Sequence, residues 1–224
     1  MTKSPHSNRK LASLGQQVRR RLGRNPAVVP IGQAGLDLYA VEQFAQPAEC
    51  AGLVARIESN ARPSTLYSVD SESGFRTSYS CDLPPVDPLV QAFEARICAL
   101  TGLDPRHGEA LQGQRYAPGQ LFKLHHDYFP YEADYWQRER LNGGQRSWTA
   151  MLYLNRPESG GETNFPTAGL CITPQTGLLL LWNNMNDDGA PNLAALHEGC
   201  AVGTGTKYIV TKWFRERFWA VGLR

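Results

Sequence analysis

Residues 111–128, LQGQRYAPGQLFKLHHDY, hold two short apolar runs, Leu111–Tyr116 and Leu121–Tyr128, separated by a Pro-Gly turn. Runs this short, punctuated by Gly, Pro, Asn and Asp, have the texture of antiparallel β structure; a helix needs a longer periodic stretch. The same texture continues downstream in Trp148–Asn155, Leu170–Thr173, Gly177–Trp182, Ala194–His197 and Lys207–Phe214, which makes at least seven strand candidates. Short strands in this number, with no internal repeat, fit a double-stranded β-helix, the cupin-like jelly roll.

Upstream the period changes. Cys50, Leu53, Val54 and Ile57 share a helical face within residues 47–62, and Leu89, Val90, Phe93, Ile97 and Leu100 share another within 87–100, stopped by Gly102. The fold class expected is therefore mainly β with α, a jelly-roll core buttressed by N-terminal helices. Before Asp37 the chain carries seven Lys or Arg residues and no acid. Residues 1–36 therefore read as a basic leader, partly helical around Leu11–Leu22, ahead of one domain at 37–224.

The formal charge of +2 gives no reason to expect nucleic acid as a partner. No apolar run approaches the roughly 18 residues that span a bilayer, and no secretory h-region follows the basic start. Five cysteines, an odd number without CxxC spacing, read as free thiols. A soluble, cytoplasmic protein is the expectation; the oligomeric state is open.

Chemistry concentrates in the second run of the opening stretch. On a strand, residues i and i+2 face the same way, so His125 and Asp127 are expected to project together and His126 to the other side. The sequence offers one later histidine, His197. Two histidines and one carboxylate form the facial triad of non-haem Fe(II) oxygenases, which leaves coordination positions open for a bidentate cosubstrate and O2. HxD alone is weak, because such pairs recur in solvated loops. A second feature strengthens it: Lys207 interrupts the apolar strand TKYIVTKWF at 206–214. It either snorkels to the edge or faces inward, where an unpaired ammonium needs an anion.

From about residue 76 to 216 the segments RTS, RYAPGQLFKLHHDYF, RSWTAMLYLN, GGETNFP, LLLLWNN and LHEGCAVGTGTKYIVTKWF follow in order. Together they resemble the prolyl 4-hydroxylase-like branch of the 2-oxoglutarate and Fe(II)-dependent dioxygenases. The resemblance implies His125, Asp127 and His197 as iron ligands and Lys207 as partner of the distal carboxylate of 2-oxoglutarate, with Tyr116 and Thr163 adding hydrogen bonds there. It implies oxidative decarboxylation to succinate and CO2, consumption of O2, hydroxylation of a substrate carbon, and ascorbate as a reductant.

On the substrate side the resemblance implies Arg146 and Trp213 as peptide contacts, with a surface arginine and core packing as the competing readings. The aromatic-rich segment 128–146 reads as a lid over the metal or as an ordinary loop, and Trp182 as core. Phe122 departs from the family pattern: many peptidyl-proline hydroxylases place a tyrosine three residues before the first ligating histidine. The expected substrate is a peptidyl residue, proline first. A free amino acid or small metabolite is the alternative, and a non-catalytic cupin-like binding protein is the third reading.

Overall fold

The computed structural model describes residues 6–65 and 74–219. Its first half contains α1 (Arg9–Leu22), β1 (Val29–Pro30), β2 (Leu38–Val41), α2 (Pro47–Asn60), β3 (Arg62–Pro63), β4 (Tyr79–Asp82) and α3 (Pro88–Thr101). There follow β5 (Gln112–Tyr116), β6 (Phe122–His125), the short α4 (Trp136–Leu141) and β7 (Arg146–Tyr153). The last third is β8 (Ser159–Gly160), β9 (Thr163–Phe165), β10 (Leu170–Ile172), β11 (Leu179–Asn183), β12 (His197–Gly199), β13 (Val202–Thr204) and β14 (Lys207–Arg215).

An eight-stranded sheet has the order β1-β2-β11-β7-β14-β5-β4-β3, and a four-stranded sheet the order β10-β9-β12-β6. Every pairing is antiparallel. Strand alternation divides the core in two. On β7, Trp148, Ala150 and Leu152 face α2 and α3, while Met151 and Tyr153 join Phe165 of β9 and Trp182 of β11 in the cluster between the sheets. This two-sheet sandwich with helices on one outer face is the expected jelly roll.

The helices end where local chemistry stops them. The Asp87 carboxylate accepts from the Leu89 and Val90 amides, Pro88 opens α3, and Gly102 closes it in the left-handed conformation at φ 76°. The contact of α2 with the large sheet is close: a Cβ at Gly113 would lie 2.4 Å from Ile57 Cγ1. The expected leader helix is present as α1, and it is docked. Val18 and Leu22 are buried in the same cluster as α2 and α3, and the Arg21 guanidinium donates to the Ala99 carbonyl. Residues 1–5 of the leader and 66–73 lie outside the described residues.

Two local expectations are revised. Leu193–Ala195 forms a 3-10 turn, so the strand expected from Ala194 begins only at His197. Strand β6 stops at His125, so Asp127 sits in the bend beyond it. Among the described residues no helix is long and apolar enough to cross a membrane.

Candidate active site

Pairing of β12 with β6 sets His197 directly opposite His125 across the small sheet. The bend after β6 then returns Asp127 to the same spot, so one ligand-type atom from each of the three lies within 4.8 Å of the others. His125 Nδ1 is 2.8 Å from the Lys123 carbonyl and His197 Nδ1 is 3.0 Å from the Ala195 carbonyl. A backbone carbonyl can only accept, so each Nδ1 donates to it, which leaves each Nε2 as the ring atom turned to the cluster; His197 Nε2 lies 3.9 Å from Asp127 Oδ2. Burial, and next the neighbouring His197, push His125 well below the usual imidazole range, which keeps it in the neutral, ligating form.

The carboxylate is oriented by residues that sequence reading missed. Thr149 Oγ1 donates to Asp127 Oδ2 at 2.7 Å and itself accepts from Asn184 Nδ2 at 2.9 Å. Rings enclose the histidines: Phe122 stacks on His125 at 3.6 Å, and Phe165 and Trp182 lie 5.3 and 5.0 Å from His197. His126 stands apart, with its ring beside Tyr128 and Nε2 3.4 Å from the Leu193 carbonyl. Two oriented imidazoles and a held carboxylate, shielded by aromatic rings, are a donor set that suits a divalent transition metal.

Beyond the triad a narrow pocket of about 30 Å3 runs between the sheets, lined by Tyr116, Thr163, Gly199, Lys207 and Thr211 among others. Lys207 is 1% exposed, and among the described residues no carboxylate lies within 4 Å of its ammonium, Glu162 acting on it only from farther away. The Nζ lies 5.3 and 5.5 Å from the ring centres of Tyr116 and Tyr153. Burial lowers the Lys207 pKa to about 8. A buried cation without a counter-charge is costly, and an incoming carboxylate removes that cost. Hydroxyls stand beside it: Tyr153 donates to Thr163 at 2.6 Å and Tyr116 to Gln114 at 2.7 Å. The charge and hydroxyls here therefore suit a carboxylate, and Tyr153, which lies behind Lys207 and holds Thr163, is a residue that sequence reading did not single out.

On the other side of the triad an open cavity of about 790 Å3 meets the narrow pocket at Phe122, His125, Asp127 and Trp213. Arg146 and Trp213 both line it, as does Phe122. Arg146 is 7% exposed; its Nε and Nη2 donate to the two oxygens of Glu109 at 2.6 and 2.7 Å, and its guanidinium lies 4.0 Å over Trp213. Arg76, also unforeseen, hydrogen-bonds Ser78 and Gln112 and lies 4.7 Å over the Phe122 ring. The 128–146 segment supplies a wall of this cavity through Tyr128, Phe129, Pro130, Tyr135 and Arg138.

Comparison with known proteins agrees with this geometry. The model of the 2OG-Fe(II) oxygenase superfamily matches residues 111–215. Prolyl 4-hydroxylase 1 of Arabidopsis thaliana is 34% identical over 200 residues, spanning 80% of this chain and 69% of that protein. The viral collagen prolyl hydroxylase of Paramecium Bursaria Chlorella virus-1, solved as a 2OG complex, superposes with a TM-score of 0.62 at 24% identity, over 80% of this chain and 94% of that one. A Trichoplax adhaerens prolyl hydroxylase, solved with a hypoxia inducible factor peptide fragment, superposes with a TM-score of 0.57 at 16% identity, over 96% and 94%. With a jelly roll, a His-Asp-His cluster and relatives of this kind, the chain belongs to the 2-oxoglutarate and Fe(II)-dependent oxygenases, in their prolyl 4-hydroxylase-like branch.

Proposed function

We propose that this dioxygenase hydroxylates a prolyl residue within a peptide or protein, with Fe(II) held by His125, Asp127 and His197. The observation that carries the reading is the junction of two unlike pockets at His125 and Asp127 of this cluster, one narrow and cationic, the other open and aromatic. Lys207 receives the distal carboxylate of 2-oxoglutarate, with Tyr116, Thr163 and Tyr153 as neighbouring hydroxyls. Bound Fe(II) and 2-oxoglutarate supply the oxidising chemistry, releasing succinate and CO2 and delivering one oxygen atom of O2 to a carbon.

The protein's own residues bind, orient and shield. Thr149 fixes the Asp127 carboxylate, the Lys123 and Ala195 carbonyls fix the two imidazoles, and Phe122, Phe165 and Trp182 keep bulk water from the ligands. Trp213 and the Glu109-braced Arg146 face the substrate in the outer cavity, which is large enough for a stretch of extended peptide. The curated relative, itself a prolyl 4-hydroxylase, supports proline as the target. We also infer a cytoplasmic setting from the five cysteines, all free thiols.

The test incubates purified protein with Fe(II), 2-oxoglutarate, ascorbate and proline-containing peptides. Succinate above the uncoupled background and a peptide gaining one oxygen in mass are expected. Phe122, which brings no hydroxyl to the cavity, favours a second reading in which the same site serves a free amino acid or small metabolite. Turnover stimulated by such compounds, with no peptide gaining mass, would establish that reading instead.

A further inference from the structure

Strand β14 turns Lys207, Ile209, Thr211, Trp213 and Arg215 to the interior, each of them buried. The first four line the narrow pocket. Arg215 comes last in the row and is 1% exposed. The register between β14 and β7 slips here: Phe214 pairs with Trp148 and Arg215 with Arg146, leaving Ser147 as the extra residue. A bulge re-aims the side chains around it, and both guanidiniums converge on one carboxylate. Arg215 Nε lies 2.5 Å from Glu109 Oε1, the carboxylate that Arg146 also grips.

The remaining nitrogens of Arg215 reach the cavity wall. Nη2 donates to Glu139 Oε2 of α4 at 2.8 Å, and Nη1 donates to the Gly144 carbonyl at 2.9 Å. The Phe129 ring lies within 4.9 Å of the Arg146 guanidinium and 4.5 Å of the Arg215 guanidinium. Gln145 clasps the Phe129 backbone, accepting from its N–H at 2.9 Å and donating to its carbonyl at 2.5 Å. One planar fork thus spans a strand, the carboxylate under Arg146, and the aromatic segment.

We propose that Arg215 is a positioning residue for the substrate: through Glu109 it sets Arg146, and through Glu139 and Gly144 it latches the 128–145 segment against the barrel. Floor and wall of the outer cavity are then one rigid surface, preorganised before the substrate arrives. The inference rests on a peptide-sized substrate occupying that cavity, but the latch itself is a property of the free protein. Lysine cannot replace the arginine fork, because an ammonium is a point charge that does not span three acceptors in one plane.

The test compares wild type with Arg215→Lys and Glu139→Gln. In Arg215→Lys the peptide KM should rise about tenfold or more, the loss of charge-assisted hydrogen bonds read as affinity. The KM for 2-oxoglutarate and the uncoupled rate of its decarboxylation should stay unchanged. Amide hydrogen exchange over 136–141 should accelerate in both variants, with a smaller rise in peptide KM for Glu139→Gln, which leaves the Glu109–Arg146 pair intact. A peptide KM unchanged in Arg215→Lys, unaltered exchange over 136–141, or an equal loss toward peptide and 2-oxoglutarate overturns the proposal. If Arg215→Lys fails to fold, Glu139→Gln decides alone, and unaltered exchange and peptide KM in it overturn the latch. Should wild type hydroxylate no peptide, the exchange measurement still judges the latch while the peptide reading fails separately.

Discussion

Replacing Lys207 by methionine should make the protein more stable and less able to bind its cosubstrate. The ammonium is buried with no paired carboxylate among the described residues, and burial lowers its pKa from 10.5 to about 8. That difference, at about 1.4 kcal/mol per unit, means that at neutral pH the charged lysine costs the cosubstrate-free fold about 3 kcal/mol. The sign follows from proton counts. Below the folded-state pKa both states are protonated and the cost is full. As pH climbs from about 8 toward 10.5 the unfolded chain binds more protons than the folded one, so stability rises with pH and the cost disappears. Lys207→Met should therefore raise the melting temperature at pH 7 by roughly 6–12 °C for a chain of this size, and the gap should close toward pH 10.5. Adding 2-oxoglutarate with Mn(II) as a redox-inert stand-in should reverse the order. With Mn(II) present for both proteins, wild type gains about 4 kcal/mol from the dicarboxylate at a concentration near one thousand times its Kd, enough to exceed the cost, and the variant gains none from it. Thermal melts across pH, with and without 2-oxoglutarate, provide the measurement. A variant less stable than wild type without the dicarboxylate would mean that Lys207 already has an anionic partner, and the reasoning would fail.

Three further outcomes are expected. Thr149→Val keeps the shape but removes the donor that orients Asp127 and strands Asn184 Nδ2, so metal affinity in an anaerobic Fe(II) titration should fall about 10–100-fold; unchanged affinity would make the contact irrelevant. Phe122→Tyr adds a hydroxyl where the two pockets meet and should lower the peptide KM roughly fivefold, the worth of one ordinary hydrogen bond, while a metabolite substrate would leave no peptide KM to improve. Gly113→Ala drives a methyl into Ile57 Cγ1 at 2.4 Å and should cost about 1–3 kcal/mol in denaturant unfolding, with kcat unaffected because the clash lies on the helix side of the sheet.

Where the backbone stays regular, the sequence was legible. Periodicity placed both long buttressing helices within two residues of their ends, and alternation along residues 207–214 put Lys207 and Trp213 on one face, where both are buried beside the same pocket. His125, Asp127 and His197 were also grouped, as the fold groups them, though by a partly mistaken route. Asp127 does not follow His125 along a strand; a bend returns it to the site, and spacing cannot distinguish these two ways of bringing i and i+2 together. Thr149 and Asn184 were missed because a hydroxyl in an apolar strand and an amide in a WNN run carry no signature until the fold sets them 2.7 and 2.9 Å along one chain of hydrogen bonds.

Arg215 sharpens the same distinction. Extending the alternation of β14 by one more step would have turned it inward, but an inward arginine at a strand end invites the snorkelling reading, in which only its stem is buried. What makes it a buried hub is the slip at Ser147, which sets a second arginine opposite it, and the acid that closes the charge, Glu109, comes from a loop more than a hundred residues earlier in the chain. Such a cluster is stable only if all its members are present, since removing one leaves a charge buried without compensation. Its parts are therefore interpretable only within the fold, whereas His125, Asp127, His197 and Lys207, weak one by one, already suggest a chemistry when taken together in the sequence. The narrow, cationic end of the site combines residue types whose pattern is readable from sequence; the open, aromatic end depends on a bulge and on shared counter-charges that the residue types do not reveal.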